Sequence, residues 1–186
     1  MECLRCDPVG SITIKIVVGN ERKAIAGLLV ALIDLYEKSV HAPDKSLQTL
    51  LNGKFRRYLG HVELKDGLAR VIENKKPHSL RHIVFVVDDS KRSLTEPIRR
   101  GLLKAHQCES TLVTIPIARA GVDFSQANQE SLQEVARQVV EAIHQFFADF
   151  PATTVSEIRL LPYGNEYLTN GLLHSFAERA HPNVLN

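Results

Sequence analysis

The sequence predicts an α/β protein, a three-layer α/β/α sandwich around a mixed central sheet, and three observations carry that expectation. His82-Ile83-Val84-Phe85-Val86-Val87 is an apolar run without alternation, closed by Asp88-Asp89. Leu112-Val113-Thr114-Ile115-Pro116-Ile117 is a second such run, and a helical pattern around Ile98, Leu102 and Leu103 lies between them. Strands that do not alternate are buried on both faces, as in the middle of a sheet covered by helices. Roughly five or six strands are expected, the usual size of such a sheet. Ligands of these sheets bind in the loops that leave the strands, so the loop after the second run, with Gly121 in it, is the first candidate site.

A chain of 186 residues supports one well-packed domain, taken as residues 1–186. Lys and Arg number 23 against 21 Asp and Glu. That balance lacks the basic excess of a non-specific nucleic-acid binder, so nucleic acid is not an expected partner. The cysteines are Cys3, Cys6 and Cys108, an odd set without a signal peptide, which predicts a reducing, cytoplasmic setting. The longest apolar run, residues 24–33, is about half of what crosses a bilayer, so no membrane span is expected.

Taken in order, residues 1–10 read as an irregular lead-in. Cys3 and Cys6 have the spacing of half a zinc site, but no second pair completes it, and no metal or cofactor is assigned. Residues 12–18 form a β-branched strand. Gly19-Asn20 then turns into a helix capped by Asn20, whose positions Ala24, Ile25, Leu28, Leu29, Leu32, Leu35 and Tyr36 recur at helical spacing to about Lys38. Gly27 within it would let the helix approach the sheet. After a break at His41-Ala42-Pro43, Asp44 or Ser46 caps a helix through Leu47, Leu50, Leu51 and Phe55; Lys54, Arg56 and Arg57 read as its solvated face, with a phosphate or partner contact as the rarer alternative. Residues 61–64 and 69–72 flank Lys65-Asp66-Gly67, as an edge hairpin or as a strand that follows a short turn. A helix over 128–150 carries the stripe Leu132, Val135, Val139, Ile143 and Phe146 and stops at Pro151. A strand over 155–161, the turn Tyr163-Gly164-Asn165 and a short helix over 168–178 close the chain.

No catalytic signature is complete: G-x-S-x-G, H-E-x-x-H and the Walker G-K-[ST] are all missing, so catalytic residues are unassigned. Asp88-Asp89 could hold a divalent cation at a strand end, although capping of the next helix by Asp89, Ser90 or Ser93 is the commoner role. Cys108 reads as a buried inert thiol, and His106 and His144 as helix-borne imidazoles. Gly121 lets a backbone approach a phosphate without a Cβ in the way, or only supplies a turn with positive φ; the charge of Asp123 counts against a phosphate.

Several of these segments together resemble the macro domain, the fold that binds ADP-ribose. Gly67-Leu68-Ala69-Arg70-Val71 followed by Ile83-Val84-Phe85-Val86-Val87 is similar to the family's run into its central strand. Leu94 to His106 resembles its next helix, and Ser110 to Ile117 its strand ending IAFPAI. Ala120-Gly121-Val122-Asp123-Phe124 falls where the family has its [ST]-G-[IV]-[YF]-G-[FY] phosphate loop, and Val155 to Tyr163 resembles the last strand. The resemblance covers 60–176. It implies a divergent macro-like module that binds ADP-ribose or a related nucleotide. Ala120, Gly121, Val122, Asp123 and Phe124 would surround the diphosphate, Tyr163 would stack on a base, and Asn20 would stand at the first helix start. The family's G-D-I-T is represented by Gly19-Asn20-Glu21-Arg22, and its N-A-A-N and G-G-G-V segments have no counterpart between Ala24 and Tyr58, so hydrolase residues are not implied.

Two other classes compete. One is a non-catalytic interaction module with a decayed pocket, in which Phe146, Phe147 and Phe150 bury against a protein partner or a second copy. The other is a Toprim-like, magnesium-dependent enzyme built on Glu21 and Asp88-Asp89.

Overall fold

The structure, a computed structural model, describes residues 2–6, 12–19, 21–74, 80–119, 122–124 and 126–180. Its centre is two parallel strands, β3 (Gly27–Asp34) and β6 (Leu80–Asp88), paired from Leu28↔His82 to Asp34↔Asp88. The remaining strands are β1 (Glu2–Cys6), β2 (Thr13–Val18), β4 (Val40–His41), β5 (Ala69–Glu73), β7 (Leu112–Pro116) and β8 (Glu157–Leu161). The order across the sheet is β1-β2-β8-β7-β3-β6-β5, with short β4 paired to β3. The interior pairings are parallel, while β1 and β5 run antiparallel at the two edges, so the sheet is mixed as expected. It is wider than expected, because β1, β3 and the short β4 lie in three segments that the sequence assigned elsewhere.

The larger correction is β3. Residues 27–34 were expected in a helix, since their leucines fall at helical spacing; only Glu21–Ala24 is helical here, as α1. The run Leu28 to Asp34 is buried at every position, which a strand covered on both faces requires. Gly27 makes the strand's entry possible. Its φ is +68°, and a Cβ there would lie 2.2 Å from the Leu112 carbonyl oxygen. Next to it, buried Thr114 closes the irregularity: its hydroxyl donates to the Ala26 carbonyl at 2.8 Å and accepts the Ala26 N–H at 3.2 Å. The smaller correction is that residues 2–6 of the expected lead-in pair with β2, Glu2↔Val18 to Cys6↔Ile14. Of the two readings for 61–72, the strand after a short turn holds and the hairpin does not: 61–64 is turn and irregular chain, and β5 pairs with β6.

Alternate residues of the central strands feed two cores. Leu29, Ala31, Ile33, Ile83 and Phe85 face α2 (Lys45–Leu59), which presents Leu47, Leu51, Phe55 and Leu59 at helical spacing. Asp44 caps that helix, accepting the Leu47 N–H at 2.7 Å. Leu28, Val30, Leu32, Val84 and Val86 face α3 (Thr95–Gln107), α4 (Gln129–Asp149) and α5 (Glu166–Ala180). Each fully buried leucine or phenylalanine contributes about 1.5–3 kcal/mol by leaving water, so both layers hold the sheet.

Phe146 and Phe147 lie within the larger core and Phe150 packs against it, with Phe146–Phe150 centroids 5.3 Å apart. The apolar surface expected of these three for a partner is therefore spent inside the fold. Asp89 does not cap α3 either. Its Oδ1 accepts from the Lys91 N–H and the Tyr36 hydroxyl, and Ser93 Oγ takes the Thr95 N–H. Cys108 ends α3, half-buried, with a free thiol. Among the described residues no helix is long and apolar enough to cross a membrane.

Candidate functional site

β3 exchanges partners halfway along. Leu28 and Leu29 pair with Val113 and Thr114 of β7, but Leu32 and Ile33 pair with His41 and Val40 of β4. Strand β7 meanwhile stays with β8 to its end, Pro116↔Leu161. The sheet therefore splits above Leu29, and the loops leaving β4, β7 and β8 stand apart around the split. A parallel sheet places its ligand site at such a divergence of strand ends.

The cleft there has a volume of about 540 Å³, within the range of small-molecule sites, and His41, Arg119, Phe124, Tyr163 and Asn165 are among its lining. A second recess of about 360 Å³ is lined by Gly19, Glu21, Arg22, Asp44 and Tyr163. Tyr163 is the shared wall. It is a non-glycine residue at φ +52°, an unusual conformation that sets its ring between the two spaces. Its hydroxyl is sealed from solvent with no hydrogen-bond partner among the described residues. Burial pushes the phenol well above its ordinary range, and the nearby charges of Asp44 and Glu21 add to that.

Of the expected site residues, Val122, Asp123, Phe124 and Tyr163 all line this cleft. Asn20, Ala120 and Gly121 lie outside the described residues. The Val122 N–H is committed to the Arg119 carbonyl at 3.2 Å. Asp123 is exposed and lines the cleft, which places an acidic residue in the wall of the site. Phe124 is fastened by its carbonyl, which accepts from Asn165 Nδ2 at 3.1 Å; Asn165 Oδ1 in turn accepts the Leu168 N–H at the start of α5.

Arg119 looks like the cation of the cleft but is employed otherwise. Its guanidinium donates to Gln138 Oε1 at 2.9 Å, to the Ser90 carbonyl at 3.0 Å and to the Arg92 carbonyl, tying the loop after β6 to α4. An exposed cation beside the site is Arg22, on α1. Glu21, almost fully buried, accepts the Gly19 N–H at 3.1 Å and holds the turn that leads into α1. Sequence reasoning missed His41, Arg22 and Asp44 as site residues, since they come from segments whose adjacency depends on β3 being a strand.

The remaining candidates fall elsewhere. Asp88 is fully buried at the end of β6, and Asp89 is occupied by Tyr36, Lys91 and Arg92, so the acidic pair does not present the open carboxylates of a Toprim-like site. His144 lies between α4 and α5 near Phe176, and burial lowers its pKa from the ordinary value. Three metal-ligating side chains do meet: one ligand atom each of Asp34, Glu37 and His41 lie within 4.8 Å of one another beside the cleft.

No family model and no curated protein matches the sequence. Solved structures do match. A mutant of the Oceanobacillus iheyensis macrodomain superposes with a TM-score of 0.67 at 14% identity, over 98% of this chain and 100% of that one. Another mutant of the same macrodomain, with ADPR, gives 0.62 at 15% identity, over 97% and 100%. The Trypanosoma brucei macrodomain in complex with ADP gives 0.61 at 13% identity, over 91% and 72%. The chain has the macro domain fold, in a form divergent in sequence.

Proposed function

We propose that this chain, as one domain over 1–186, binds ADP-ribose or a related nucleotide in the split of its sheet, with no residues clearly assigned to hydrolysis. The observation that carries the reading is the pair of recesses joined at Tyr163. With that ring as their common wall, the two recesses suit a ligand with a base at one end and a sugar at the other. Tyr163 would offer the aromatic wall for a base. Residues 120–124 would follow the diphosphate, and Arg22 would offset part of its charge against Asp123 and Asp44. The likeness to macrodomains that hold ADPR or ADP supports the same ligand class. The free thiol of Cys108 is in keeping with a reducing, cytoplasmic setting.

Isothermal titration with ADP-ribose, ADP and AMP tests this. ADP-ribose should bind, and Tyr163→Ala and Arg22→Ala should each weaken it by about tenfold, or 1.4 kcal/mol. Folded protein that takes up no ADP-ribose at millimolar concentration would overturn the proposal.

A further inference from the structure

The hairpin between β3 and β4 is fixed by its own backbone. The Asp34 N–H donates to the Ser39 carbonyl at 2.8 Å, and the Lys38 N–H to the Asp34 carbonyl at 3.0 Å, with Lys38 at φ +51°. This frame sets Asp34 at the end of β3, Glu37 in the turn and His41 on the returning strand. Only 5% of the Asp34 side chain is exposed, and its two oxygens divide their duties. Oδ1 accepts the N–H groups of Tyr36 at 2.6 Å and Glu37 at 2.8 Å, while Oδ2 faces His41 Nε2 at 3.7 Å. On its other side the same Nε2 faces Glu37 Oε2 at 3.5 Å, and it is sealed from solvent without a hydrogen-bond partner among the described residues.

A buried polar nitrogen without a hydrogen-bond partner among the described residues, next to the carboxylate of a buried aspartate, is an expensive arrangement. The separations say what would relieve it. They are too long for hydrogen bonds. With bonds of about 2.0–2.1 Å, two ligand atoms of a tetrahedral zinc ion stand about 3.3–3.4 Å apart. The observed 3.5 and 3.7 Å are within a few tenths of an ångström of that. We propose that Asp34, Glu37 and His41 form a binding site for a divalent transition-metal cation, zinc foremost, on the β3–β4 hairpin beside the cleft.

The donor set supports that choice. One imidazole and two carboxylates suit zinc and its first-row neighbours, whereas calcium and magnesium prefer oxygen ligands throughout. Asp34 is positioned by two backbone N–H groups, so the most buried of the three ligands has a support of its own. The Glu37 side chain is 67% exposed, which gives the ion a path in from solvent and leaves its outer coordination position to water or to a ligand in the cleft that His41 also lines. This site stands independently of nucleotide binding.

The experiment is zinc titration of the full chain after dialysis against EDTA, read by metal content per chain and by the melting temperature. One equivalent of zinc should be retained at micromolar concentration, with a raised melting temperature. His41→Ala should abolish retention. Glu37→Gln, at an exposed position that does not threaten folding, should weaken it at least tenfold. A Cys3→Ser, Cys6→Ser double variant should retain zinc as the native chain does. No retention by the native chain would overturn the proposal, and so would unchanged affinity in Glu37→Gln or loss of zinc in the cysteine variant alone.

Discussion

β3 and β6 lie side by side, run parallel and are buried on both faces, yet different forces hold them extended. Between residues 83 and 87, β6 is Ile-Val-Phe-Val-Val, β-branched and aromatic, and its composition favours a strand on its own. Between 27 and 33, β3 is Gly-Leu-Leu-Val-Ala-Leu-Ile, and its leucines and alanine are good helix formers. β3 is extended because β6, β7 and β4 each supply hydrogen-bond partners and because Gly27 and Thr114 build its entrance. A strand whose conformation comes from its neighbours is vulnerable at the points where those neighbours hold it. β6 distributes its stability along its own residues.

The strongest way to break that contrast is Gly27→Val. A side chain there combines backbone strain at positive φ with a collision against the Leu112 carbonyl. The expected loss is about 3–5 kcal/mol in chemical denaturation, from strain and overpacking together. Amide exchange should accelerate along β3 and β7 more than along β5, whose strand pairing among the described residues is with β6. Thr114→Val acts at the same entrance with nearly constant volume. It strands the N–H and carbonyl of Ala26, at an expected cost of about 1–3 kcal/mol, while the β5–β6 pairing keeps its exchange protection.

Asp44→Ala is the mildest test, since α2 covers both strands and should loosen them equally. Loss of its cap is expected to cost about 0.5–2 kcal/mol. The Leu47 N–H, followed by the Ser46 hydroxyl, holds the Asp44 carboxyl below its usual pKa. A depressed folded pKa contributes stability above the unfolded value, and that contribution disappears as pH falls through the folded one. The variant should therefore lose less stability on acidification than the native chain, measured by urea denaturation across the acid range.

The same contrast explains which parts of the fold were legible beforehand. β6, α3, β7, α4 and the last strand and helix were readable because propensity and pattern agree in each of them. β3 was not, because seven leucine, isoleucine, tyrosine and alanine positions in 24–36 satisfy helical spacing while the unbroken burial at 28–34 satisfies a central strand. Length and periodicity favour the first, and only the adjoining strands choose the second. β1 escaped notice for a simpler reason: Glu2 to Cys6 is short and polar, and its pairing with β2 supplies what its composition does not.

The candidate site divides along the same line. Val122, Asp123, Phe124 and Tyr163 were found from the loops that follow two recognisable strands, and the structure brings all four to one cleft. His41, Arg22 and Asp44 were out of reach, since a helix over 20–38 would have carried their segments elsewhere. Asn165 left a trace in its place three residues before Leu168, as a cap does, but its hold on Phe124 is a long-range contact that no local pattern records.

By itself the sequence determined that this is an α/β sandwich and that its centre includes 82–87 and 112–117, and it pointed to the loops at their ends as the candidate site. Those properties follow from local composition, which burial on two faces leaves visible in the chain. Only the tertiary structure decided that 27–34 is the central strand, that the sheet splits above Leu29, and that Asp34, Glu37 and His41 meet at the split. Each of these depends on which strand lies beside which, and backbone hydrogen bonds between strands are made by atoms common to every residue.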